Sequence, residues 1–184
     1  MGEIMSSKPR AKLSHSAIFC KDVPEMLDFY TKVLGLIITD EGVHPTNGIH
    51  YTFLSSDPIE HHEIVLVPGR PEKDDFSVTQ QISFYVDTLE DVQVIKSRAE
   101  TAQATEIRPR CHGNAWSVYF LDPEGNKIEV YTHTPWYVPQ PYSDALDLDK
   151  PSDQIRQETE ATCRANTGFM TAEDRSAELR ARMA

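Results

Sequence analysis

The sequence is short of cysteine, of basic charge and of long apolar runs, and each shortage removes a class of explanation. Its three cysteines, Cys20, Cys111 and Cys163, stand far apart with no CxxC spacing. That excludes a zinc ribbon and a disulfide framework and fits a reducing compartment. No apolar run approaches the roughly 18 residues that a membrane-spanning helix needs. The stretch from Met1 to Lys12 is polar and lacks the apolar core of a signal peptide. The expectation is a cytoplasmic protein without a membrane partner. Eighteen Lys and Arg against 29 Asp and Glu leave a formal net charge of -11. Such a field repels a phosphate backbone, which excludes nucleic acid. What is present is enough for an ordered core: 184 residues with seven Phe, seven Tyr and two Trp, mostly inside regular patterns. One domain with some appended structure follows from that length.

Periodicity organises the chain. Leu13 to Phe19 predicts a strand, and Val23, Met26, Leu27, Tyr30 and Leu34 predict an amphipathic helix that Gly35 stops. Leu36 to Thr39, Ile49 to Leu54 and His62 to Val67 follow as three strand-like pieces. After a polar loop, Pro68 to Ser77, the order begins again: Gln81 to Val86 as a strand, Leu89, Val92, Ile95 and Ala99 as one helix face, then strands at Thr105 to Arg108, Ser117 to Leu121 and Lys127 to Thr132. Two βαβββ units in about 120 residues are an internal repeat. Beyond it, TPWYVPQPY, from Thr134 to Tyr142, is too rich in proline for a helix or a central strand and predicts an extended surface segment. Pro151 to Arg164 and Thr171 to Met183 predict two short helices, capped at Ser152 or Asp153 and at Thr171.

None of the seven histidines pairs at the HExxH spacing, which excludes a zincin. Ligands supplied one per strand are the alternative. His15 opens the first strand of the first unit and Gln81 opens its counterpart in the second, positions that pseudo-symmetry sets across a shared cleft. Glu129 lies between Ile128 and Val130 in a strand expected to be buried, where a carboxylate needs a partner such as a metal ion.

The run HSAIFCKDVPEMLDFYTKVLGL, from His15 to Leu36, with LDPEGNKIEVY, from Leu121 to Tyr131, resembles the vicinal oxygen chelate superfamily of glyoxalase I, extradiol dioxygenases and bleomycin and fosfomycin resistance proteins. The resemblance covers about residues 13 to 134. It implies an α+β fold of two paired βαβββ modules forming a cleft-shaped mixed β-sheet, here with a tail at 1–12 and an extended and helical extension at 135–184.

Further features resemble type I extradiol ring-cleavage dioxygenases. FLSSDPIEHHEIVLV is similar to the strand carrying their acid/base histidine, which falls on His62, and HGNAWSVYF is similar to the segment giving His112. Tyr119 matches a tyrosine used near substrate. His15 and Glu129 take two of the three positions of a 2-His-1-carboxylate triad, and Gln81 stands where the second histidine is expected. Glyoxalase I accepts Gln among its ligands, but its other carboxylate position falls near Val65, with Glu63 out of register. Strand alternation offers His61 or His62 as a substitute ligand.

The resemblance thus implies an extradiol-type dioxygenase that opens a catechol-like aromatic diol with O₂. Its catalytic residues are His62, His112 and Tyr119 and its metal ligands His15, Gln81 and Glu129. Trp116, with Trp136 and Tyr137 just after the last strand, is expected to wall the pocket, though the aromatic residues after that strand could equally form a dimer contact. The expected cofactor is Fe(II), with Mn(II), Zn(II) or Ni(II) as alternatives, and the expected partner is a second copy of the chain. The competing readings are a glyoxalase-like isomerase or lyase and a non-catalytic small-molecule binder.

Overall fold

A computed structural model describes residues 11–72 and 78–183. Most of the predicted tail and part of the predicted polar loop lie outside those residues. The chain divides into two compact units, residues 1–23 with 36–70 and residues 24–35 with 71–184.

The first unit is a four-stranded sheet of β1 (Ser16–Cys20), β2 (Ile37–Val43), β3 (His50–Ser55) and β4 (Ile64–Pro68), in the order β1–β4–β3–β2. β1 runs parallel to β4, and the other pairs are antiparallel. Ile64 to Val67 is a continuous run of aliphatic residues, all buried, as suits a central strand. β3 alternates, burying Thr52 and Leu54. β2 extends past the predicted Thr39 to Val43, because a bulge between Ile38 and Asp40 keeps the weakly β-forming Asp40, Glu41 and Gly42 paired with β3. Leu13 stands exposed, and the first strand begins only at Ser16.

The second unit contains α1 (Val23–Lys32) from its second residue onward, β5 (Ile82–Tyr85), α2 (Leu89–Thr101), β6 (Thr105–Cys111), β7 (Ala115–Leu121) and β8 (Lys127–His133). It continues through β9 (Trp136–Tyr137), β10 (Asp144–Ala145), α3 (Ser152–Ala165), β11 (Met170–Thr171) and α4 (Ala172–Met183). Its main sheet has the order β10–β6–β7–β8–β5, with β5 parallel to β8. Alternation gives this sheet two chemically different faces. Val118, Phe120, Ile128 and Val130 are fully buried on one side, where Phe29 and Tyr30 of α1 meet Phe120 and Phe84 edge to face. Ser117, Tyr119, Lys127 and Glu129 project to the other.

α2 starts on a capping box between Thr88 and Asp91 and buries Leu89, Val92, Ile95 and Ala99, the face its spacing predicts. α1 is rotated from expectation: it buries Met26, Phe29 and Tyr30, with Val33 buried just past its end, whereas Leu27 and Leu34 are only half-buried. Aromatic partners at Phe84 and Phe120 select that face. Gly35 follows α1 with φ 76°, the left-handed conformation that ends a helix cheaply only at glycine.

The extension is more ordered than its proline content predicts. β9 pairs with β11, and β10 adds to the edge of β6. Ser152 and Asp153 do not cap α3; the cap position is Pro151, and Ser152 instead donates to Gln93 Oε1 at 2.9 Å. Gln93 Nε2 in turn donates to the Leu148 and Lys150 carbonyls, both at 2.9 Å. Thr171 caps α4 as expected, accepting from the Asp174 N–H at 3.0 Å.

Candidate active site

The polar face of the second unit's sheet gathers around Glu129, which is only 8% exposed. Its Oε2 accepts from Gln81 Nε2 at 2.8 Å and Ser83 Oγ at 2.6 Å. Its Oε1 accepts from Ser117 Oγ at 2.9 Å and from the Tyr119 hydroxyl. Register explains the convergence: Tyr119 and Ser83 lie directly opposite Glu129 on β7 and β5, and Gln81 immediately precedes β5. Four donors compensate the desolvation of a buried carboxylate. Sequence reasoning missed Ser83 and Ser117. Alternation was the available signal, since both sit two residues from a named candidate, at Gln81 and Tyr119.

His112, just past β6, extends this network. Its Nδ1 lies 2.8 Å from the Tyr142 carbonyl, which can only accept, so Nδ1 carries the proton. Its Nε2 lies 2.9 Å from the Tyr119 hydroxyl. In the neutral ring that Nε2 holds a lone pair, so one hydroxyl proton is shared between two acceptors, His112 and Glu129. A second proton, on His112 Nε2 or on Glu129, satisfies both contacts, and the chain can therefore pass a proton along its length. Burial and the Glu129 carboxylate push the Tyr119 phenol above its ordinary pKa, which keeps it a proton donor.

A cavity of about 300 Å³ opens on this face, lined by Gln81, Arg108, Arg110, His112, Tyr119 and Lys127 among others. Gly113 lets the chain turn beyond His112, with φ 72° and no room for a Cβ, which would meet Val138 Cγ2 at 2.4 Å.

His15 and His62 belong to the first unit, where their ring centroids are 4.2 Å apart. His62 is not on a strand: β4 starts at Ile64, and His61 and His62 occupy the turn before it with their Nδ1 atoms 2.8 Å apart. Alternation therefore does not choose between them. Burial, followed by the neighbouring His15 and His61, pushes the His62 pKa below its ordinary value.

Three expected pocket residues lie elsewhere. Trp116 shares a face with Val118 and Phe120, opposite to Tyr119, and donates to Thr159 Oγ1 of α3 at 2.8 Å. Trp136 packs against it edge to face, and Tyr137 lies under the Arg175 guanidinium at 4.6 Å. All three dock the extension and none lines the Tyr119 cavity.

No group of three His, Cys, Asp or Glu side chains is poised to hold a metal ion among the described residues. The expected donor set is of mixed type and is tested on its chemistry. Glu129 offers a carboxylate oxygen, Gln81 an amide that exchanges its donor for its oxygen by a half-turn, and His15 an Nε2 without a hydrogen bond among the described residues. The carboxylate and amide oxygens of the second unit suit a divalent ion by their chemistry. No helix among the described residues is long and apolar enough to cross a membrane.

Comparison with known proteins agrees with this architecture. The family model of the glyoxalase/bleomycin resistance protein/dioxygenase superfamily matches residues 12–130. Metapyrocatechase of Pseudomonas sp. (strain CF600) is 26% identical over 123 residues, which are 65% of this chain and 38% of that protein, so the chain spans under two fifths of that relative's length. Among solved structures, the glyoxylase/bleomycin resistance protein/dioxygenase domain from Frankia sp. EAN1pec is similar with a TM-score of 0.56 at 20% identity, over 68% of this chain and 94% of that one. The fosfomycin resistance protein of Listeria monocytogenes, solved with Mn(II) and sulfate, has a TM-score of 0.52 at 19% identity, over 68% of this chain and 95% of that one.

Proposed function

Because the chain belongs to the glyoxalase/bleomycin resistance protein/dioxygenase superfamily, we propose that it is a metal-dependent dioxygenase of the extradiol type. In that reaction a C–C bond beside a catechol-like diol breaks and both atoms of O₂ enter the product. The observation that carries this reading is the hydrogen-bonded chain from His112 through Tyr119 to Glu129, beside a cavity large enough for one aromatic ring. The distant match to metapyrocatechase supports it.

Within the second unit, Gln81 and Glu129 are the residues that would hold the ion, for which Fe(II) is proposed. When bound, such an ion supplies Lewis acidity toward the diol and reducing power toward O₂. The chain's own groups have separate tasks. His62, whose pKa burial lowers, takes a diol proton as a general base. Tyr119, held protonated, donates a hydrogen bond to oxygen as negative charge develops, and His112 relays the proton that the hydroxyl gives up.

Anaerobically purified protein reconstituted with Fe(II) and offered a panel of catechols is expected to consume one O₂ per diol, with Glu129→Ala silent. Tyr119→Phe is expected to lower kcat roughly a hundred-fold while iron stays bound. Iron-loaded protein that consumes no O₂ across the panel refutes the reading. Gln81 at a ligand position favours a second reading, a glyoxalase-like isomerase or lyase, which hemithioacetal turnover with Ni(II), Zn(II) or Mn(II) would select.

A further inference from the structure

The cavity beside Tyr119 has a charge opposite to that of the chain. Against a net charge of -11, it is lined by three cations, Arg108, Arg110 and Lys127, and one carboxylate, Glu106. Glu106 pairs with Arg108 at 2.9 Å, and Arg110 and Lys127 have no ion pair among the described residues. Elsewhere Lys96, Lys150, Arg156 and Arg175 each hold a carboxylate within 2.9 Å. Arg110 is half-buried, and its one hydrogen bond among the described residues is to the Pro109 carbonyl at 3.4 Å. Glu129 cannot serve it, because four donors already occupy both of its oxygens. A partly desolvated guanidinium with one long hydrogen bond leaves most of its donors unmet, which is costly unless a ligand supplies acceptors.

The backbone arranges this exposure of charge. β6 pairs Thr105 with Leu121 but Arg108 with Tyr119, so one extra residue is inserted between the two pairs. Without that bulge Ile107 and Pro109 would face the Tyr119 side; with it, Arg108 and Arg110 do. Glu106, inside the bulge, holds φ 56°, a conformation that a residue with a Cβ adopts at some cost. Arg110 lies directly opposite Ser117.

We propose that Arg110, assisted by Lys127 and Arg108, is an anion subsite that selects substrates carrying a carboxylate or phosphonate on the ring or chain held beside Tyr119. The planar guanidinium fork matches such a group with two parallel hydrogen bonds, while Leu121 completes the wall. The cavity of about 300 Å³ limits the substrate to one ring with a short substituent. This substrate class rests on the reading of the cavity as a substrate pocket, and the test separates the two.

Calorimetric titration of the full chain with 3,4-dihydroxybenzoate and with the neutral 4-methylcatechol, without O₂, is expected to give binding at least roughly ten-fold tighter for the anion, the worth of one charge-assisted hydrogen bond. Arg110→Gln is expected to bring the ratio near one and Arg110→Lys to restore part of it, at unchanged Tm. Benzoate and phenylphosphonate, titrated side by side, tell a carboxylate site from a phosphonate site. A ratio near one in the wild type, or one that Arg110→Gln leaves intact, overturns the proposal. If anions bind through Arg110 and no diol consumes O₂, the subsite stands and the dioxygenase reading falls. If neutral and anionic catechols are cleaved with equal kcat/KM, the dioxygenase stands and the subsite falls.

Discussion

Replacing Thr159 with valine keeps the volume and branching of the side chain and removes one hydroxyl. That hydroxyl accepts from Trp116 Nε1 at 2.8 Å, at a junction where Trp116 is 3% and Thr159 6% exposed. Valine leaves the indole N–H buried without an acceptor, and water has no ready access to replace it. Stranding such a donor costs about 1–3 kcal/mol. For a chain of this size each kcal/mol moves Tm by roughly 2–4 °C, so the expected fall is between about 2 and about 12 °C. The Cys111 thiol, 3.9 Å from the same oxygen, is a weak donor and adds little. A double-mutant cycle isolates the pair: Trp116→Phe removes the donor, and in that background Thr159→Val should cost less than about 0.5 kcal/mol. Thermal unfolding followed by circular dichroism on the four proteins gives the coupling. If Thr159→Val costs as much in the Trp116→Phe background as it does with the indole present, the hydroxyl does not stabilise the docking of α3 through the indole, and the reasoning fails.

Two other perturbations probe the same unit. Arg156 on α3 bonds Glu90 on α2 and holds its pKa at about 2, against an ordinary 4.5, so the contact adds stability above about pH 4.5 and loses it as pH falls through about 2. The Tm deficit of Glu90→Gln should shrink over that window and with added salt; a deficit independent of pH would show that the charge is not its source. Gly113→Ala forces a Cβ to within 2.4 Å of Val138 Cγ2 at a left-handed backbone position, with an expected loss of about 2–4 kcal/mol in urea unfolding. A loss below about 0.5 kcal/mol would mean that the extension yields freely at Val138.

Much of the second unit was legible because alternation and helical spacing act locally. Ile128, Glu129 and Val130 already imply a buried strand with one anomalous residue, and Leu89, Val92, Ile95 and Ala99 are the stripe that α2 buries. The face of α1 was not legible, because Leu27 and Phe29 are equally apolar and only the rings of Phe84 and Phe120 decide between them. The hydrogen-bonded cluster was legible where its members are polar side chains, at Gln81, His112, Tyr119 and Glu129. It was illegible where the partner is backbone: the Tyr142 carbonyl that sets the proton on His112 lies 30 residues away and leaves no mark on residue type. Trp116 was misread for a related reason, since an aromatic residue next to candidate catalytic residues faces them or turns its back according to the parity of one strand.

The extension belongs to the site more than its place after the repeat suggests. Gln140 Nε2 donates to the His112 carbonyl at 2.8 Å, and the Tyr142 carbonyl accepts from the His112 ring at 2.8 Å, so one short segment grips both ends of that histidine. Two residues later the same segment becomes β10, whose Ala145 lies opposite Arg110, and Ser143 lines the cavity between them. The orientation of His112 and the placement of Arg110 are thereby fixed by one stretch of chain. α3 lies behind that stretch, where Ile155, Glu158 and Thr159 line one cavity with Tyr142, Asp144 and Ala145, and it is held to the unit through Thr159 on Trp116 and Ser152 on Gln93. Loosening α3 should therefore disturb proton relay and anion selection together, although no atom of α3 lines the cavity beside Tyr119.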